Sequence, residues 1–176
     1  MTVRTVTVYG GQSINLQLQA LKHGANIVVA TPGRLIDHVK RGTIRLDNVK
    51  FMVLDEADKM FDMGFMKDIK PVLKISNLYI NSSYFEGFPN SVIEAINFGL
   101  PIISSQSYGG INEILLNGKC GTIFKNGDSV DLANKIQNFY NNPKKFSLKT
   151  KLAKRNIQRF TLKKNISNYE NLFYNL

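Results

Sequence analysis

The stretch LYINSSYFEGFPNSVIEAINFGLPIISS, Leu78–Ser105, predicts one strand–helix–strand unit of an α/β protein. It begins with the short β-branched run Leu78–Ser82 and ends with a second such run, Pro101–Ser105. Between them, Pro89–Phe98 has apolar residues at helical spacing, begins with a proline and is followed by Gly99. Two strands joined through a helix in this way lie parallel in one sheet, with a right-handed crossover.

The same alternation of short strands and helices continues outward to both ends of the chain. Ser13 is expected to cap a helix through its hydroxyl group, and Gly24, Gly42, Gly99 and Gly118 are expected to end helices. Strands are also predicted at Arg4–Gly10, Asn26–Thr31, Phe51–Asp55 and Gly121–Lys125, and helices at Ser13–His23, Arg34–Arg41, Met60–Ile75, Ile111–Leu116, Ser129–Asn141, Lys144–Phe160 and Leu162–Phe173. Strands alternating with helices indicate βαβ units with helices on both faces of a parallel sheet.

Composition fits one globular domain of 176 residues and favours anionic partners. Apolar residues make up 43% of the chain, and the single cysteine, Cys120, excludes an internal disulfide. The net charge is +10, which favours phosphates, nucleic acid or an acidic surface in general. The sequence has neither an apolar run of about 18 residues nor a signal pattern, so we expect a cytoplasmic protein with no membrane partner.

Several residue types change in frequency near Lys67–Lys74. All five methionines precede residue 70, whereas 16 of the 19 asparagines follow it. Residues 1–69 hold nine Lys/Arg and seven Asp/Glu, whereas residues 70–176 hold 14 and six. These coincident changes indicate a junction between two sequences of different origin.

The first part contains three motifs at characteristic intervals. These are YGG at Tyr9–Gly11, ATPGRLIDHVKRG at Ala30–Gly42 and VLDEAD at Val53–Asp58. Together they resemble the DEAD-box RNA helicases, in the second half of their first RecA-like domain, over about residues 1–69. The resemblance implies that Asp55, Glu56 and Asp58 held Mg²⁺ and a hydrolytic water. It also implies a set of former RNA-phosphate contacts: Gly10, Gly11, Thr31, Pro32, Gly33 and Arg34.

The ATP-binding parts that this resemblance requires are missing from the 176 residues. No G-x-x-x-x-G-K-[ST] loop occurs in the sequence. The carboxylates would therefore hold Mg²⁺ with no triphosphate beside it, and we expect no ATP hydrolysis or unwinding.

The second part contains two glutamates, Glu86 and Glu94, separated by seven residues around a helix start. Backbone N–H groups at such a start suit a diphosphate, and carboxylates suit sugar hydroxyls. The surrounding sequence, about residues 70–176, resembles the C-terminal domain of GT-B retaining glycosyltransferases of the glycogen-synthase-like kind. The resemblance implies that Glu86 contacts the donor sugar, that Glu94 contacts the ribose, and that Gly87, Phe88, Pro89 and Asn90 line the sugar and diphosphate.

The two fragments complement each other in topology. In the transferase domain the strand order would be 3-2-1-4-5-6, and the helicase fragment can supply its first three strands. We therefore expect an engineered chimera: one hybrid, three-layer α/β/α, doubly wound, Rossmann-like domain over residues 1–176, with six mainly parallel strands. We expect neither an active catalytic site nor a metal, cofactor or required partner. Two alternatives remain open: weak binding of a nucleoside diphosphate or its sugar through Glu86–Glu94, and nonspecific RNA binding.

Overall fold

The computed structural model describes residues 3–54, 60, 64 and 66–174, and the side chains of all of these except residues 66–68. It is an α/β structure whose contacts group into two units, residues 1–56 and residues 57–176. Each unit is described by itself below. The predicted carboxylates Asp55, Glu56 and Asp58 lie outside the described residues.

The first unit contains a two-stranded parallel sheet and two helices. The strands are β1 (Thr5–Val8) and β2 (Ile27–Ala30), paired in register from Thr5 with Ile27 to Val8 with Ala30. The helices are α1 (Ile14–Lys22) and α2 (Pro32–Lys40), and each follows one strand. Proline at the first position of α2 presets the helical φ angle where no intrahelical N–H bond is lost.

The predicted strand Phe51–Asp55 is wrong over its described residues. Phe51–Leu54 forms no strand, and Phe51 and Val53 are 83% and 90% exposed. Their β-branched and aromatic character favoured a buried strand, but an isolated strand has no ladder of hydrogen bonds to hold it. The residue types therefore predicted a strand, but none of the described strands pairs with Phe51–Leu54.

The second unit is built on a three-stranded parallel sheet, in the order β3-β5-β7. Its strands are β3 (Tyr79–Asn81), β5 (Ile102–Ser105) and β7 (Thr122–Phe124). All four residues of β5 are buried, as expected for a central strand that is covered on both faces. A separate parallel pair, β4 (Phe85–Glu86) with β6 (Tyr108–Gly109), was not predicted.

Helices surround the second sheet. They are α3 (Met66–Ile75), α4 (Asn90–Asn97), α5 (Ile111–Ile114), α6 (Ser129–Asn141), α7 (Pro143–Asn156) and α8 (Leu162–Tyr174), with a 3₁₀ turn at Ile157–Phe160 between α7 and α8. The helix predicted at Lys144–Phe160 corresponds to α7, which ends at Asn156. Asp128 caps α6 by accepting a hydrogen bond from the backbone N–H of Asp131 at 2.8 Å.

The core of the second unit is mainly apolar. Helix α4 buries Val92, Ala95 and Ile96. Ile103 and Phe124 of the sheet pack with Phe146 of α7. None of the helices in the described part of the chain is long and apolar enough to cross a bilayer.

The predicted six-strand order is seen only in parts. The pairing of β1 with β2 agrees with its 2-1 portion, and the order β3-β5-β7 agrees with its 4-5-6 portion. The structure therefore shows parallel α/β sheets, but not one sheet in the order 3-2-1-4-5-6.

Candidate functional site

Glu86 is held in place by the residues that follow β3. The hydroxyl of Ser83 donates a short hydrogen bond to Oε1 of Glu86, and its oxygen lies 3.0 Å from Oδ1 of Asn81. Asn81 is buried, and its Nδ2 donates to the hydroxyl of Ser104 in the neighbouring strand. The carboxylate of Glu86 is therefore anchored to the sheet through a side chain that the sequence analysis did not select.

Two consecutive glycines press against the backbone of Glu86 and Gly87. Gly109 has φ +112°, and a Cβ atom there would lie 1.8 Å from the carbonyl oxygen of Glu86. A Cβ on Gly110 would lie 2.8 Å from the ring of Phe88, and the Gly110 N–H donates to the carbonyl of Gly87 at 2.8 Å. Only glycine lets the two segments approach this closely, so the Gly-Gly pair fixes the path of the loop before α4.

Helix α4 begins directly after this loop, with Pro89 at its N-cap. The first backbone N–H groups of a helix lack partners within the helix, which makes this end suitable for an anionic group. Glu94 lies on the next turn of α4 and is half-buried, as is Glu86. The predicted residues Glu86, Gly87, Phe88, Pro89, Asn90 and Glu94 thus occupy one strand, one loop and one helix of the second unit.

Tyr79 of β3 adds a polar group beneath this region. Burial raises the pKa of Tyr79, a hydrogen bond with Ser91 acts in the opposite direction, and the nearby Glu86 carboxylate raises the pKa further. The phenol is therefore neutral at physiological pH. It connects β3 with the first turn of α4, and the spacing of the sequence motif gave no sign of it.

A cleft of about 240 Å³ lies between α4 and the 3₁₀ turn. Phe88, Asn90, Ile93 and Asn97 line one side, and four residues from Ile157 to Thr161 line the other. The rings of Phe88 and Phe160 meet edge to face at 5.1 Å between centroids. Two of the predicted site residues, Phe88 and Asn90, therefore face this cleft.

In the first unit, the predicted RNA-binding residues lie in the loop after β1 and at the start of α2. Gly10 and Gly11 follow β1, and Thr31, Pro32 and Gly33 follow β2. Because Val8 and Ala30 are paired in a parallel register, both segments leave the same edge of the sheet. A Cβ atom added to any of the three glycines would meet no atom of another segment within 4 Å, so each glycine is open on its Cβ side.

Arg34, the remaining predicted RNA-binding residue, is engaged inside the unit. Its Nη1 donates to the carbonyl of Gln12 at 2.9 Å and to Oε1 of Gln17 at 3.0 Å. Gln17 is 1% exposed, and its Nε2 donates to the carbonyl of Tyr9 and to Oε1 of Gln12. Arg34 therefore holds the loop after β1 to α1, in addition to any contact that it makes with a ligand.

His38 completes this buried polar network. Its Nε2 lies 3.0 Å from Oε1 of Gln17, and its Nδ1 lies 2.8 Å from the hydroxyl of Thr43. Since Oε1 of Gln17 can only accept, Nε2 carries the proton in the neutral ring. The hydroxyl of Thr43 lies within hydrogen-bond distance of both Nδ1 and the carbonyl oxygen of His38, at 3.0 Å from the latter, so its one proton is shared between them. Burial lowers the pKa of His38, and the Arg34 and Arg41 guanidinium groups lower it further, against the opposing effect of Asp37.

Three features decide what these arrangements can do chemically. The predicted catalytic carboxylates lie outside the described residues. The described residues contain no group of three or more His, Cys, Asp or Glu side chains that could hold a metal ion. The second unit presents two half-buried carboxylates at a helix start. The first unit presents open glycine backbones at two adjacent strand ends. The helix start and the glycine backbones suit phosphate groups, whereas the carboxylates suit sugar hydroxyls.

Comparison with known proteins divides the chain in the same two parts. The family model of the DEAD/DEAH box helicases matches residues 1–85, and that of glycosyl transferases group 1 matches residues 54–159. The ATP-dependent RNA helicase DeaD of Haemophilus influenzae is 56% identical over 70 residues, which are 40% of this chain and 11% of that protein. The chain therefore spans only a small part of the helicases that it matches.

Solved glycosyltransferase structures share the fold. The crystal structure of Anabaena Alr3699/HepE in complex with UDP covers 98% of this chain with 49% of its own length, at 21% identity and a TM-score of 0.55. The C-terminal domain of a group 1 family glycosyl transferase (LpcC) from Francisella tularensis covers 77% of this chain, at 17% identity and a TM-score of 0.50. This chain aligns with 68% of that domain.

The two family matches overlap between residues 54 and 85, and this overlap contains the junction predicted at Lys67–Lys74. The chain is thus a chimera that joins a DEAD-box helicase fragment to a glycosyltransferase fragment, and by its match over residues 54–159 it belongs to the family of group 1 glycosyl transferases.

Proposed function

We propose that this chain binds a nucleoside diphosphate or its sugar weakly through the segment Glu86–Glu94 and does not catalyse transfer by itself. The observation that carries this proposal is the close contact between Gly109 and the backbone of Glu86. It fixes the loop that presents Glu86 at the start of α4, so the binding groups are ordered before any ligand arrives.

The chemistry of the segment matches the two ends of such a ligand. The N-terminus of α4 suits the diphosphate, because its unpaired N–H groups and the helix dipole both favour negative charge. Carboxylates accept hydrogen bonds from sugar and ribose hydroxyls, which are the roles that we assign to Glu86 and Glu94. The UDP complex of the Anabaena relative supports the choice of a uridine nucleotide as the first probe.

The experiment is a titration of the ¹⁵N-labelled chain with UDP and UDP-glucose, followed by amide NMR. We expect shifts confined to residues near Glu86–Glu94 and Gly109–Gly110, with a dissociation constant of about 1 mM, which corresponds to roughly 4 kcal/mol of binding free energy. Glu94→Gln keeps the shape of the side chain but removes its charge, and it should weaken binding of both nucleotides.

Glu170→Gln is the matched control, because it makes the same chemical change on α8, at an exposed position away from Glu86–Glu94. It should leave the titration unchanged. Equal affinity of the Glu94→Gln variant and the unaltered chain would contradict the proposal, as would shifts spread over both units.

The lack of turnover is a separate proposal. It is supported by the missing G-x-x-x-x-G-K-[ST] loop in the 176 residues and by the coverage of only about half of the Anabaena glycosyltransferase. Assays of ATP hydrolysis and of UDP release from UDP-glucose should give blank values. Release of UDP that disappears in a Glu86→Gln variant would overturn this proposal.

RNA binding by the first unit is the second candidate function. It is supported by the parallel register that sets the loop of Gly10–Gly11 beside the start of α2 at Thr31–Gly33. Affinity for single-stranded RNA should fall steeply as salt rises, since phosphate contacts release counterions. An Arg34→Gln variant should bind less RNA and also loosen the loop held by the Gln12 carbonyl. Absence of binding at low salt would exclude this function.

We also propose how the chimera arose, how its strands are ordered and where it is located. We propose that the two fragments were joined deliberately, because the compositional changes fall inside the overlap of the two family matches. The order 3-2-1-4-5-6 is supported by its 2-1 and 4-5-6 pairings, but it further requires a strand at Phe51–Asp55, and the structure shows none over Phe51–Leu54. Backbone chemical shifts of Phe51–Leu54 test that requirement directly. A cytoplasmic location is the expectation for the expressed chain.

A further inference from the structure

The positive charge of the chain is concentrated at one end. Residues 143–174, here called the helical tail, contain nine Lys/Arg and one acidic residue, Glu170. The tail therefore carries a net charge of +8, out of +10 for the whole chain. Most of these cations are exposed, apart from Lys149, which is partly buried.

The same helical tail leaves an apolar stripe uncovered. Leu162, Ile166, Tyr169 and Phe173 follow one another at helical spacing along α8, and they are 75%, 48%, 66% and 71% exposed. Ser167, on the opposite side of α8, is half-buried. Helix α8 buries none of its residues, so its apolar side is left in solvent, unlike that of an ordinary surface helix.

Helix α7 shows a smaller version of the same pattern. Leu148 and Leu152 lie one turn apart and are exposed, beside the exposed cations Lys151 and Arg155. Apolar side chains bordered by lysine and arginine recur along both helices. A partner that fits them must offer an apolar layer next to a negatively charged one.

Against the expectation of no membrane partner from the sequence, we propose that the helical tail docks on the surface of an anionic membrane, with α8 lying in the plane of the interface. The apolar stripe enters the boundary between headgroups and acyl chains, while Lys163, on the flank of the stripe, reaches the lipid phosphates. Tyr169 and Tyr174 suit the interface, where an apolar ring meets a polar layer. With 13 residues, α8 lies on the bilayer and does not span it.

Charge and apolar exposure favour an anionic lipid surface over two other partners, namely a second copy of the chain and a nucleic acid. A second copy of the tail would bring two surfaces of net charge +8 together, which is electrostatically unfavourable. A nucleic acid would satisfy the lysines and arginines, but its phosphates would leave the Leu162–Phe173 stripe in water. An anionic lipid surface satisfies both the cations and the stripe.

The test is co-sedimentation of the purified 176-residue chain with vesicles of phosphatidylcholine alone or mixed with phosphatidylglycerol. We expect binding to the mixed vesicles that weakens as salt rises, and little binding to phosphatidylcholine. Lys163→Gln should lower partitioning about fivefold. Phe173→Asp should lower it about tenfold or more, since it removes a ring from the apolar layer.

Val130→Asp is the matched control for Phe173→Asp, because Val130 is similarly exposed but lies on α6 outside the tail. It should bind vesicles as the unaltered chain does, and circular dichroism should show all variants folded. No binding to mixed vesicles at low salt would overturn the proposal. Binding that Phe173→Asp leaves unchanged would also overturn it, as would tail-dependent self-association or RNA binding in place of vesicle binding.

Discussion

Gly109 sets the strictest steric constraint on the candidate nucleotide-sugar site. Its φ of +112° is unfavourable for any other residue, and a Cβ atom would collide with the Glu86 carbonyl. We expect Gly109→Ala to lower the free energy of unfolding by about 1–3 kcal/mol and to displace β4 from β6. Urea denaturation measures the first effect, and amide shifts of Glu86 and Gly87 report the second.

The control for this prediction is Gly87→Ala in the same loop, where a Cβ atom would meet no atom within 4 Å. It should change the free energy of unfolding by less than about 0.5 kcal/mol. Equal effects of the two substitutions would show that the close approach of Gly109 contributes nothing to the stability of the loop.

His38 makes the stability of the first unit depend on pH. Its pKa is lowered in the folded chain, mainly by burial and then by Arg34, so the unfolded chain binds a proton more readily. Stability is therefore fully present above the unfolded pKa of about 6.5, and it is lost as pH falls from there toward the folded pKa. Amide exchange of β1 and β2 residues between pH 7.5 and about 5 should show this loss.

A His38→Gln variant should lose this dependence on pH, whereas His23→Gln, at an exposed histidine, should keep it. A ¹H–¹³C NMR titration of the His38 ring checks the cause independently. A midpoint at or above about 6.5 would contradict the assignment of a lowered pKa to the buried ring.

The residues that the sequence failed to reveal act through three-dimensional contacts rather than through spacing. Ser83 donates to Glu86, and Gln17, which His38 contacts in turn, accepts from Arg34. A polar side chain such as Gln17 on the buried side of α1 is detectable as a break in the apolar pattern. The partner that satisfies it lies 21 positions along the chain in α2 and is invisible to local patterns.

At the scale of elements, the turn between α5 and β7 depends on side chains from α7. Leu116, Asn117 and Gly118 all have positive φ, which is unfavourable for the first two. Nζ of Lys149 donates to the carbonyls of Gly118 at 2.8 Å and Gly121 at 2.6 Å. Burial lowers the pKa of Lys149, so its contacts with these carbonyls offset the cost of a partly buried charge.

We expect Lys149→Met to lower the free energy of unfolding by about 1–3 kcal/mol, because two carbonyls lose a charged donor. Lys151→Met, at an exposed position of the same helix, should have little effect. Both values follow from urea denaturation at neutral pH. Equal stability of the two variants would mean that water replaces the Lys149 ammonium group without loss.

Helices and strands were predictable where the apolar periodicity agrees with the residues expected at element ends. The predicted glycine stops Gly24, Gly42, Gly99 and Gly118 all have positive φ. Ser13 does occupy the N-cap of α1, but its side chain makes no capping hydrogen bond, so that part of the prediction is wrong. The two-residue strands β4 and β6 were missed because so short a run has no periodicity to read.

At the scale of the whole chain, the buried core is divided unequally between the units. Among the described residues of the first unit, the buried side chains are Val6, Val8, Gln17 and His38, and half of these are polar. The second unit buries an apolar set that extends from Ile69 to Ile157. Hydrophobic burial is the main favourable term in folding, so the second unit holds most of the stabilising free energy.

The difference in buried core between the two units predicts the order in which they unfold. A single hybrid domain, as expected from the matching topologies, would lose all of its structure in one transition. A two-stranded sheet with a small, partly polar core is marginal alone, so we expect the first unit to open at lower free energy than the second. Native-state hydrogen exchange in low urea should give β1 amides, at Val6 and Val8, lower opening energies than β5 amides, at Ile102 and Ile103. Equal opening energies that converge on the global value would instead show that the splice produced one cooperative domain, with the helicase fragment stabilised as fully as the glycosyltransferase fragment.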